Sequence, residues 1–156
     1  MKQSFKILLL LLLTTGCGVK NGKEEIEKKI QAKADDCKGA ANCIVKIADL
    51  TSFKWDGLCV FNTPLPKQDV ETALGVPYPD YEEGTRPLIF FYQGKIVYSE
   101  NNPNGLIKGT PGQVIYDYAV GLHYGVYNPQ NAVFNVKVEK GGPKTFYSMH
   151  LVRAVK

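Results

Sequence analysis

The sequence predicts an α+β fold, with N-terminal helices packed on a mostly antiparallel β-sheet. Three observations predict it. Apolar residues between positions 24 and 50 recur at helical spacing, whereas most of the chain beyond position 85 reads as β-rich runs. Short Gly-containing turns join those runs, so the connections are hairpins rather than crossovers. Composition is globular, at 44% hydrophobic and 22% charged over 156 residues. That excludes a wholly disordered, collagen-like or coiled-coil chain. The balance of 19 Lys and Arg against 15 Asp and Glu, net +4, is too mild and too evenly spread for a nucleic-acid partner.

Residues 1–16 read as a targeting segment. Lys2 and Lys6 make a positive start, and residues 7–13 are an unbroken apolar run. Such a run is too short to span a bilayer, which needs about 20 residues. Thr14, Thr15, Gly16 and Cys17 follow. A small residue before a cysteine, directly after such a run, resembles the lipobox of bacterial lipoproteins. Thr14 stands where that pattern usually has Leu. The resemblance implies diacylglycerol on Cys17, cleavage after Gly16, and acylation (palmitate) of the new amino terminus. Acyl chains contribute about 0.8 kcal/mol per buried methylene, enough together to hold a small domain on a membrane. It also implies a cell-envelope location. Gly18, rather than Asp, after the cysteine points to the outer membrane facing the periplasm in a Gram-negative organism. Residues 17–23 then form a polar tether, and residues 24–156 a single domain.

Cys37, Cys43 and Cys59 remain for an oxidising compartment. A Cys37–Cys43 bridge closes the shortest loop, and it requires a helix break near Gly39 because positions six apart lean to opposite faces. Cys59 bonded to either of the others is the alternative. Within Leu58-Cys59-Val60-Phe61 it otherwise reads as a buried free thiol. The paired spacing of a metal site is missing, so no metal and no cofactor are expected.

Ile26 and Ile30 share a stripe, predicting a helix over 24–34. Ile44, Ile47 and Ala48 predict a second over 40–50. Trp55-Asp56-Gly57 leads into a strand over 58–61, which Pro64 and Pro66 stop. A short helix over 67–74 turns Val70, Ala73 and Leu74 inward, with Gly75 as its cap. Pro77, Pro79 and Gly84 mark a loop. Residues 88–92 and 95–98 flank Gln93-Gly94 as a hairpin. A strand over 114–120 puts Tyr116 and Tyr118 on one face. A second hairpin, over 132–138 and 145–152, turns at Gly141-Gly142-Pro143. Its alternation of Phe134, Val136 and Val138 with Asn135, Lys137 and Glu139 predicts a wet face. The run from Phe53 to Gly75 is an aromatic, Trp-Asp, a strand ending in Phe, and a Pro-led helix ending Leu-Gly. With the hairpin after it, the run resembles a group of small uncharacterised exported bacterial lipoproteins. That implies a fold and no mechanism. Trp55 reads as a core anchor whose indole N–H meets a carbonyl, and Asp56 as a turn residue.

Two sets of residues bear on chemistry. Asp36-Cys37 and His123-Tyr124-Gly125-Val126-Tyr127 resemble parts of papain-like peptidoglycan hydrolases. The resemblance implies Cys37 as a nucleophile at a helix N-terminus and His123 as its base. Lys38-Gly39 follows the cysteine where that family has Ser-Gly, and only His150 is left to orient His123. The second set is non-catalytic. Glu82 and Glu83, with Asp80, suit a cation or a basic partner, or simply a solvated loop. Tyr116, Tyr118, Tyr124 and Tyr127 suit an interface, or are ordinary β-formers. Phosphate cradles, Ser nucleophile elbows and nucleotide fingerprints are absent from the sequence.

The expected function is that of a lipid-anchored cell-envelope protein acting non-catalytically by binding a protein partner, in an inhibitor, immunity or envelope-assembly role. Its partners are the membrane and a protein, with no nucleic acid. The alternatives are a cell-wall cysteine hydrolase using Cys37 and His123, and a small-ligand or lipid-binding envelope domain.

Overall fold

The computed structural model describes residues 20–21, 25–104, 112–118, 122–142 and 144–152. In chain order the elements are β1 (Lys20–Asn21), α1 (Ile26–Asp36), β2 (Ile44–Lys46), a 3-10 turn (Ile47–Leu50), β3 (Gly57–Val60), α2 (Lys67–Leu74), β4 (Thr85–Tyr92), β5 (Lys95–Pro103), β6 (Gln113–Tyr116), β7 (Gly125–Tyr127), β8 (Val133–Gly141) and β9 (Lys144–Leu151). They form a five-stranded sheet in the order β1-β5-β4-β3-β7 and a four-stranded sheet in the order β2-β8-β9-β6. Pairing is antiparallel except for β1 with β5 and β6 with β9. The class is α+β.

Local chemistry accounts for the hairpins and caps. Gln93 and Gly94 both take positive φ, at 51° and 72°, as a two-residue hairpin turn between right-twisted strands requires. Gly75 at φ 69° ends α2, and its N–H donates to the Glu71 carbonyl at 2.9 Å.

Four sequence expectations change. The helix over 40–50 is instead β2 followed by the 3-10 turn. Ile44 is 45% exposed while Val45 and Ile47 are buried, a period of two that a helix cannot satisfy. One sheet becomes two, because the second hairpin pairs with β2 and β6 rather than with the first. The tether is interrupted: Lys20 and Asn21 form β1 on the edge of β5. Cys17 and the targeting segment lie outside the described residues. The strand over 114–120 is shorter, ending at Tyr116, with 119–120 outside the described residues.

The principal core lies between the sheets and α1. One buried cluster holds Ile26, Ile30 and Ala34 of α1, Leu58, Val60, Leu88 and Phe90 of the first sheet, and Val114, Phe134 and Met149 of the second. Phe90 is the aromatic hub, with Phe53 and Trp55 edge-on at 5.2 and 5.1 Å. Trp55 donates its indole N–H at 3.0 Å to the Thr51 hydroxyl, not to a carbonyl. The opposite face of the first sheet holds Cys59, Phe61 and Ile89 under Val70 of α2 and Tyr78. Both faces of β4 are therefore covered, which is why its sequence runs Leu88-Ile89-Phe90 without alternation.

Candidate functional site

The loop after α2 is pinned from several sides. The Tyr78 N–H donates to Glu71 at 2.8 Å, and its buried phenol donates to Asn101 Oδ1 at 3.0 Å. Asn101 returns a bond from Nδ2 to the Asp80 carbonyl at 2.6 Å. The Tyr81 hydroxyl donates to the Leu65 carbonyl at 3.0 Å, and the Thr85 hydroxyl to the Glu82 carbonyl at 2.6 Å. Between these anchors Pro79, Asp80, Tyr81 and Glu82 face Ser99, Glu100 and Asn101 across an open cleft of about 470 Å³. Glu82 and Glu83 are exposed. Among the described residues no ion pair engages Asp80, Glu82 or Glu83. Burial pushes the Tyr78 phenol up, and the negative charges of Asp80 and Glu82 add to the shift.

Below this cleft lies a buried charge cluster that the sequence reading missed. Arg86 grips Glu27 bidentately, at 3.1 and 2.9 Å, and donates to the carbonyls of Val114 and Pro103 at 3.0 and 3.1 Å. Glu100 accepts the backbone N–H groups of Ile26 and Glu27 and so caps α1, whose own N-cap residue, Glu25, makes no side-chain cap bond. The legible signal was a charged residue directly before a continuous apolar strand, since a fully buried arginine requires a carboxylate. Gln113 Oε1 and the Tyr116 hydroxyl are buried and without a hydrogen-bond partner among the described residues.

Cys37 and Cys43 form a disulfide, with Cα atoms 5.8 Å apart. The helix break needed for it comes at Lys38 and Gly39, both at positive φ. Cys37 is the C-cap of α1, not its N-terminal residue. There the helix dipole presents its negative end, which opposes a thiolate rather than favouring it. The bonded sulfur carries no thiol. His123 is exposed just before β7 of the other sheet, its carbonyl accepting the Tyr118 hydroxyl at 3.2 Å. His150 lies on β9, opposite Asn135. Cys59 is the buried free thiol, and burial pushes it up to about 12. Beside the disulfide, Ala34, Cys37 and Cys43 face Val136 and Val138 across an open groove of about 580 Å³.

The four tyrosines do not make one exposed patch. Tyr116 and Tyr127 are core residues, both edge-on to Phe134. Tyr127 of the first sheet and Tyr116 of the second both turn into the shared core rather than to solvent. Tyr118 and Tyr124 are half-buried, Tyr124 lying 5.7 Å from Phe61.

No protein-family model, curated protein or solved structure matches this chain. Among the described residues no helix is long and apolar enough to cross a membrane, and no group of three His, Cys, Asp or Glu is arranged to hold a metal ion.

Proposed function

We propose that this is a lipid-anchored cell-envelope protein that acts without catalysis, by binding a protein partner in an inhibitor, immunity or envelope-assembly role. The signal-like segment and Cys17 support the anchor, and an envelope location facing the periplasm goes with it. The observation that carries the binding role is the pinned acidic loop. Asp80, Glu82 and Glu83 present uncompensated charge on a backbone held by side-chain bonds from Tyr81, Thr85 and Asn101. A preorganised surface loses little freedom on docking, and its charge steers a Lys- or Arg-rich segment to it.

Crosslinking capture from envelope extracts tests the role, with the wild-type domain beside Glu82→Lys/Glu83→Lys as bait. The expected result is a partner recovered by wild type, weakened by salt, and lost with the charge-reversed variant at unchanged thermal midpoint. Equal recovery by both baits overturns the assignment of this loop.

A further inference from the structure

The first sheet has two chemically different ends. Its Thr85 end carries Asp80, Glu82 and Glu83. Roughly 23 Å away along β4, by the rise of an extended chain, is the β4–β5 turn. Lys95 is exposed there, and so is Lys54, two residues before Asp56. Exposed Asp56 also lies at this end, its carboxylate accepting the Gln93 N–H at 2.7 Å, so two lysines stand there against one carboxylate. Half-buried Tyr92 and Phe91 lie at the same end. Beside them Leu74, Phe91 and Val126, the last 65% exposed, line a shallow cleft of about 200 Å³.

β1 says which end faces the anchor. It runs parallel to β5, with Lys20 opposite Tyr98 and Asn21 opposite Ser99. The amino side of β1 therefore points to the Lys95 end of β5. Three peptide steps separate Cys17 from Lys20, at most about 11 Å of chain.

We infer that the β4–β5 turn end of this sheet rests on the membrane surface, with Lys54 and Lys95 against anionic headgroups, Tyr92 at the interface, and the acidic loop directed away from the bilayer. The inference rests on the lipid anchor proposed above. Three independent features agree on it: where the chain leaves the sheet, the sign of the charge at each end, and the half-buried aromatic residues at the cationic end. Lysines near an anionic leaflet are attracted to it, carboxylates are repelled, and tyrosine favours the headgroup layer. The acidic loop is thereby offered to partners in the compartment.

The test uses the full chain, processed in cells and placed in phosphatidylethanolamine–phosphatidylglycerol vesicles with brominated acyl chains. A fluorophore is attached at Gln93→Cys in one variant and at Glu83→Cys in another. Cys37 and Cys43 are linked and Cys59 is buried, so neither competes for the label. Quenching of the label at position 93, with none at position 83, is the expected result. Lys54→Glu/Lys95→Glu should reduce it. Equal quenching at both positions, stronger quenching at 83, or none at 93 on an acylated chain overturns the orientation. The mass of the mature amino terminus is read separately. A chain with no acyl mass on Cys17 overturns the anchor itself, and the orientation with it.

Discussion

Glu27 shows what one buried residue contributes to this protein's pH response. Burial pushes its carboxyl from the ordinary 4.5 up to about 7, although Arg86 beside it pulls the other way. A carboxyl raised on folding holds its proton longer in the folded state than in the unfolded one. Its contribution to stability is therefore complete below pH 4.5 and is lost as pH rises through about 7. Urea unfolding of the wild type, referenced to Glu27→Gln, should show stability falling across that window, and a flat difference would contradict it. Gly125 is a second sensitive residue. A Cβ there would sit 2.7 Å from the Tyr127 hydroxyl oxygen and 2.8 Å from its ring, a ring packed on Phe134. Gly125→Ala should lower stability by about 1–3 kcal/mol, the usual effect of overpacking a core. Thermal unfolding that matches wild type would show that the Tyr127 ring yields freely.

At the scale of elements, α1 depends on a strand remote in sequence. Its first turn has no local cap, and Glu100 of β5 supplies one. Glu100→Ala should cost about 1–2 kcal/mol and speed amide exchange in the first turn of α1 ahead of the strands. Unaltered exchange there would mean that core burial of Ile26 and Ile30 is enough to hold the turn. The elements also show where sequence was legible. The Gln93-Gly94 hairpin and the Gly75 cap were, because each depends on φ preferences of the residues themselves. The segment over 40–50 was not. Ile44, Ile47 and Ala48 fit a helical stripe, while Val45 and Ile47 fit a strand. What decided was the pairing of β2 with β8, whose register sets Val45 opposite Phe134.

For the whole molecule, two sheets share a core to which α1 contributes one buried stripe, while Val70 of α2 belongs to a second cluster on the other face of the first sheet. That architecture governs the cysteines. Protein purified without reductant should show a linked Cys37–Cys43 pair by mass spectrometry, and a Cys59 that alkylates only on unfolding. Rapid alkylation of Cys37 below neutral pH would instead support the cysteine-hydrolase alternative. The candidate site was legible in part. Glu82 and Glu83 follow prolines in a polar loop and are exposed there. For the tyrosines the sequence left interface and ordinary β-former both open, because a Tyr on a strand reads alike whether its face meets water or a packed core.

The α+β class, the first hairpin and the short capped helix α2 were legible in the sequence, which favoured Cys37–Cys43 as the shortest loop to close while leaving a bond to Cys59 open. These follow from backbone preferences, apolar periodicity and chain proximity, all local properties. The division into two sheets, the buried Arg86–Glu27 pair, the Glu100 cap on α1 and the pairing of β1 with β5 emerge only in the folded chain. Each of those joins residues far apart in the chain. Their physical cause is the burial of one element's polar groups against another's, which no single stretch of sequence contains.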